Sequence, residues 1–69
     1  MKIINESKLT KYNYTLVQVN KDGSFLQFGY GSVKLENAKK NANYWNKNFH
    51  YSAYPEVDCF EVAIINKNN

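Results

Sequence analysis

Apolar and polar residues alternate along most of this chain, but in one stretch the apolar ones recur at steps of three and four. That change of period divides the chain into elements. Residues 12–19, YNYTLVQV, are β-branched and aromatic, as a strand requires. Asn20-Lys21-Asp22-Gly23 follows, in which the asparagine can open a type I turn and the glycine can take the left-handed position that ends it. Residues 24–30, SFLQFGY, are the return strand. A bulge at Gly23 sets Asn20 opposite Ser24, Leu16 opposite Phe28 and Tyr14 opposite Tyr30. One face of the hairpin then collects Tyr14, Leu16, Leu26, Phe28 and Tyr30, and the other Val17, Val19 and Phe25. A two-residue Asp-Gly turn would slip this pairing and reshuffle both faces.

Beyond the hairpin the period becomes helical. Leu35, Ala38, Ala42, Trp45 and Phe49 form one stripe at 100° per residue and predict a helix over about 33–49, released and capped by Gly31 and Ser32. Glu36 and Lys40 form an outward i,i+4 pair, and Asn37, Tyr44 and Lys47 also face out. A loop with Tyr51, Tyr54 and Pro55 leads to CFEVAII, residues 59–65, the last strand. Phe60, Val62 and Ile64 point one way there, and Cys59, Glu61, Ala63 and Ile65 the other. Residues 1–11, with Ile3, Ile4 and Leu9, read as a short strand or an arm, and residues 66–69 as a frayed tail. The expected architecture is α+β, a single two-layer β-β-α-β domain over 1–69. It has a three-stranded antiparallel sheet and one helix packed on one face.

One helix cannot cover two faces. Val17, Val19, Phe25, Cys59, Ala63 and Ile65 collect on the side the helix leaves, and a wet sheet face should be mostly polar. Something is therefore expected to lie there: the N-terminal arm, a second copy of the chain, or another protein.

Composition narrows the chemistry. With 69 residues the chain buries only about 60% of its unfolded surface. All nine basic residues are lysine. The absence of arginine, the bidentate reader of phosphates and base edges, weighs against a sequence-specific nucleic-acid reader. The abundance of Lys, Asn, Ile and Tyr is what a low-GC genome would give without selection for a basic surface. Residues 1–50 carry eight lysines against Glu6, Asp22 and Glu36, a net +5, and residues 51–69 carry Lys67 against Glu56, Asp58 and Glu61, a net −2. Such a split is more typical of protein association than of wrapping a polyanion. One cysteine and one histidine exclude an internal disulfide and a Cys/His metal site. No apolar run suits a secretory signal or a membrane span, so a cytoplasmic protein is expected.

The ring-rich stretch 43–55, NYWNKNFHYSAYP, divides by geometry. Trp45 and Phe49 belong to the buried stripe. Tyr44 lies outside with Lys40 and Lys47, where an exposed ring between lysines can anchor a protein or stack on a base. Tyr51 and Tyr54 either fold back over the core edge or meet a partner. His50 and Cys59 are one candidate base and one candidate nucleophile, with no identifiable oxyanion hole or orienting third group. Glu56, Asp58 and Glu61 match no calcium loop. Gly29-x-Gly31 lacks the third glycine of a dinucleotide site. No catalytic residue, metal or cofactor is expected, and the chain does not read as an enzyme.

The YTLVQVNKDGSFLQF hairpin, the LENAKKNANYWN helix and the FEVAII strand give the chain an outline that resembles small β-β-α-β proteins of phages and mobile elements of low-GC bacteria. The resemblance is architectural and carries over no catalytic residue. It implies a class of job: binding and inhibiting a host protein, including nucleases of bacterial defence, as anti-CRISPR proteins do. The leading expectation is thus a non-enzymatic protein-binding module acting by occlusion. Its contact residues would be Val17, Val19, Phe25 and Ile65 on the sheet, Lys40, Tyr44 and Lys47 on the helix, and Tyr51 and Tyr54 on the loop. A homodimer is a second option. The alternative function is a nucleic-acid binder of low sequence specificity using lysines and exposed tyrosines.

Overall fold

The computed structural model describes residues 1–67. The elements are β1 (Lys2–Glu6), β2 (Tyr14–Asn20), β3 (Phe25–Gln27), α1 (Leu35–Asn48), a single 3-10 turn (Tyr51–Ala53) and β4 (Val57–Lys67). The part of the expected tail at residues 68–69 lies outside the described residues, while Asn66 and Lys67 are strand.

The hairpin forms in the bulged register. Gly23 has φ +90°, the Asn20 N–H donates to the Ser24 carbonyl at 2.8 Å, and the Phe28 N–H donates to Leu16 at 2.9 Å. The carboxylate of Asp22 accepts from both the N–H and the hydroxyl of Ser24, at 2.9 and 2.6 Å, and fastens the turn. These two bonds hold the Asp22 carboxyl below its ordinary range. The ladder departs from expectation at its far end. Gly29 (φ +87°) and Tyr30 (φ +57°) bulge outward, and Tyr14 bridges to Ser32 instead of facing Tyr30.

The sheet corrects the expected architecture. It has four strands in the order β1-β4-β2-β3, and it is mixed: β1 runs parallel to β4, while β2 is antiparallel to both β3 and β4. The N-terminal segment supplies the missing strand, because KIINE alternates in a way that suits β4. Lys2, Ile4 and Glu6 share a face with Ala63, Ile65 and Lys67.

The helix starts two residues later than its stripe predicts, at Leu35, and Lys34 rather than Ser32 is its N-cap residue. Ser32 is occupied elsewhere, since its N–H and carbonyl both pair with Tyr14 and its hydroxyl accepts from Asn41. Ala38 and Ala42 let α1 lie close on Leu16 and Phe60, and all four side chains are buried. Rings complete this layer: Phe28 packs at 4.6 Å and Phe49 at 4.9 Å from Phe60, centroid to centroid.

The opposite face closes on itself. Val17 and Ala63 are fully buried and Val19 and Ile65 nearly so, with Ile4 and Cys59 packed against this cluster. The sheet curls into a half-barrel with these residues on its concave side. Lys2 and Phe25 belong to strands at opposite edges, yet the Lys2 ammonium lies 5.5 Å from the Phe25 ring centroid. The same ammonium pairs with Glu61 at 3.2 Å. The curl of the sheet therefore closes the face that the hydrophobic pattern left open, and of the expected arm residues only Ile4 packs against its cluster: β1 lies beside β4 as an edge strand rather than over the face, and Ile3 and Leu9 are exposed.

Candidate functional site

The face assigned to a partner is core. Val17, Val19 and Ile65 are buried and offer no contact surface, which corrects the expectation that they would meet one. Phe25 remains exposed at the rim, beneath Lys2. Tyr51 is half-buried, and its hydroxyl donates to the Asn46 side-chain oxygen at 3.1 Å near the surface. Burial raises the Tyr51 phenol above its ordinary range, with smaller contributions from Cys59 and Asp58.

What the fold does expose is a run of aromatic rings along one flank of the helix. From the buried Phe60 it passes to Phe28, then to Trp45 at 4.9 Å from Phe28, and emerges at Tyr30 and Tyr44, 5.5 and 5.7 Å from Trp45. Tyr30 is 51% exposed and Tyr44 60%. Leu26, two residues before Phe28 on the same face of the hairpin, is also exposed. Lys40 and Lys47 flank Tyr44 on the solvent side of α1. At the other end of the helix Tyr54 leans on Phe49 at 5.5 Å and is open to solvent.

The position of Tyr30 is built by local backbone. A left-handed conformation costs a residue with a side chain roughly 1–2 kcal/mol. Here it is held by the Gly29 carbonyl, which accepts from the Thr15 hydroxyl at 2.7 Å and from the Leu16 N–H at 3.3 Å. The bulge takes Tyr30 out of the ladder and lays its ring beside Trp45. Gly31 follows for a different reason. A Cβ there would stand 2.5 Å from the Tyr12 ring, so only glycine leaves room for that ring.

Asn46 is a residue that sequence reasoning missed. Its amide nitrogen donates to the Phe60 carbonyl at 2.9 Å, and its oxygen accepts from the Phe60 N–H at 2.7 Å. The Ile65 N–H points toward β2, where Asn13 accepts it. Alternation along β4 turns Phe60 toward the β1 side, but β1 begins only opposite Ala63. Asn46 stands in for the absent strand. A polar residue beside a buried stripe gives no sequence signal of such a role.

Cys59 lies against the concave core and its thiol donates to Glu61 at 3.6 Å. Burial, and then the charges of Glu61 and Asp58, push the thiol up and keep it protonated, the reverse of an activated nucleophile. Among the described residues no three His, Cys, Asp or Glu side chains gather to hold a metal ion. A shallow groove of about 580 Å³ at the start of α1 is lined by Asn13, Tyr14, Val33, Lys34, Leu35, Glu36 and Lys39, a set with no paired acid and base. No helix among the described residues is long and apolar enough to cross a membrane. Compared with known protein families, with curated proteins and with solved structures, the chain gives no match.

Proposed function

We propose that the chain is a non-enzymatic protein-binding module that uses the aromatic ledge of Leu26, Tyr30, Trp45 and Tyr44, with Lys40 and Lys47 at its rim, to occlude a surface of another protein. The observation that carries this reading is Tyr30. A tyrosine held in a left-handed conformation, half exposed and tilted against Trp45, is strain that the core does not need. Tyrosine and tryptophan surrounded by long polar side chains are the composition of binding hot spots. The setting that fits best is the cytoplasm of a low-GC bacterium, with a host or defence protein as target and inhibition as the outcome.

The test is affinity capture from such a lysate with the wild type and with a Tyr30→Gly/Tyr44→Ala double variant, both checked by circular dichroism. Glycine relieves the left-handed position while removing the ring. Loss of a captured protein with the fold intact is the expected result. Capture of the same proteins by the double variant would refute the ledge. A nucleic acid as the captured species, released steeply by salt, would favour the alternative function.

A further inference from the structure

The sheet has two open edges, and they differ. β3 is three residues long and ends in the Gly29-Tyr30 bulge, the kind of edge that resists strand addition. β1 is five residues long, regular, and paired on one side only. Its outward backbone groups follow from the ladder. Even-numbered β4 residues face β1, and in a parallel pair such a residue bonds to the two neighbours of its partner. Ile64, partnered with Ile3, therefore engages Lys2 and Ile4. The N–H and carbonyl groups of Ile3 and Asn5 are left facing out.

We propose that this edge pairs with itself, joining two copies of the chain antiparallel through β1 into one continuous eight-stranded sheet. The sequence Lys2-Ile3-Ile4-Asn5-Glu6 is self-complementary about Ile4. In that register Ile3 and Asn5 of one copy exchange backbone hydrogen bonds with Asn5 and Ile3 of the other. Lys2 faces Glu6 twice and Ile4 faces Ile4. The charged positions fall on the non-hydrogen-bonded pairs, where side chains approach most closely. An edge protected by lysine alone would repel its copy, whereas a lysine and a glutamate placed symmetrically about the centre attract it. Glu6 makes no ion pair among the described residues, so it is available.

The same register accounts for an exposed apolar pair. Ile3 and Ile64 are direct cross-strand partners on the helix side of the sheet, beyond the reach of the helix, and are 57% and 41% exposed. Pairing centred on Ile4 brings Ile3 diagonal to its own copy, within contact distance. Four isoleucines then form one stripe across the junction. The interface is short and belongs to the weak class.

The experiment is sedimentation equilibrium of the full chain between about 10 µM and 1 mM, the range in which a small interface associates, with amide exchange measured alongside. The wild type is expected to go from monomer to dimer, with protection of the Ile3 and Asn5 amides rising with concentration. Asn5→Pro removes an outward N–H that the monomer does not use, and should stay monomeric with its melting temperature nearly unchanged. Glu6→Lys should weaken association about tenfold, since two attractive pairs become repulsive. An equimolar mixture of Glu6→Lys with Lys2→Glu should restore the dimer, because every 2–6 pair is then opposite in sign. A wild type that stays monomeric throughout, a dimer that survives Asn5→Pro, or a mixture that restores nothing although both variants, Lys2→Glu without its Glu61 pair included, keep the wild-type circular dichroism would each overturn the proposal.

Discussion

Replacing Asn46 by alanine tests whether one carboxamide completes the edge of β4. The substitution deletes the bonds to the Phe60 N–H at 2.7 Å and to the Phe60 carbonyl at 2.9 Å. It also deletes the acceptor of the Tyr51 hydroxyl at 3.1 Å. Each of the first two contributes about 0.5–1.5 kcal/mol net, so their joint loss is about 2 kcal/mol. The Tyr51 hydroxyl is near the surface, and water can replace its partner at little cost. Alanine is itself a better helix former than asparagine by a few tenths of a kcal/mol, which would mask part of the loss. Asn43→Ala cancels that term, because Asn43 is exposed on the same helix and its side chain makes no hydrogen bond among the described residues.

The quantity to measure is the difference between these two variants in urea unfolding. It should be about 2 kcal/mol, or roughly 8–16 °C in melting temperature for a domain of this size. Exchange of the Phe60 amide should quicken in Asn46→Ala and not in Asn43→Ala. If the two variants unfold within about 0.5 kcal/mol of each other, a margin typical of surface substitutions, and Phe60 keeps its protection, Asn46 does not support the strand.

Three further outcomes follow from the same structure. Val17→Asp places a charge at a fully buried position on the concave face and should abolish cooperative unfolding, while Tyr44→Ala should leave stability within about 0.5 kcal/mol of wild type; equal tolerance of both would show the concave face to be open. Gly31→Ala should displace the Tyr12 ring and cost on the order of 1–3 kcal/mol as an overpacked site does; an unchanged melting temperature would mean that the ring yields freely. Because the Cys59 thiol and the Tyr51 phenol are both raised in the folded chain, the fold keeps protons that the unfolded chain releases. Stability should therefore be complete below the ordinary values of 9.0 and 10.0 and fall as pH rises through them toward the folded values, and Cys59→Ser should remove the earlier part of that fall; a melting temperature flat across this range would contradict this account.

The sequence exposes local chemistry and hides non-local pairing. The hairpin register is legible because Asn20, Asp22 and Gly23 specify their turn within four residues. The helix is legible from its stripe, and its late start from nothing local, since Ser32 is claimed by Tyr14 on a strand far along the chain. β1 is the larger miss. Lys2–Glu6 has no stable structure of its own, and it becomes a strand because β4, some sixty residues away, runs past its partner β2 and offers a free edge. β4 also reaches further than its apolar run at both ends, to Val57 through pairing with Asn20 of β2 and to Lys67 through pairing with β1. Of the expected contact residues, those on the helix surface, Lys40, Tyr44 and Lys47, sit where a face-by-face reading puts them. Val17, Val19 and Ile65 on the sheet do not, because alternation identifies a face without revealing its curvature.

That curvature decides where a partner can act. On a flat sheet Val17, Val19, Ala63 and Ile65 would form an open apolar floor. Here the edges draw together over it, with Lys2 bridging Glu61 and the ring of Phe25. A partner seated on the concave face would have to separate those edges and uncover a cluster that is among the few fully buried parts of a small core. A domain of this size has little stability to spare for such an opening. Among the apolar side chains that remain accessible without unfolding, two groups lie at the margins of the sheet: Leu26, Tyr30 and Tyr44 beside β3, and Ile3 with Ile64 beside β1. The first margin presents rings and a distorted edge that discourages strand pairing, which suits contact through side chains. The second presents a straight edge with unused backbone groups, which suits contact through the main chain. The two margins flank opposite sides of the sheet, so occupation of one leaves the other free.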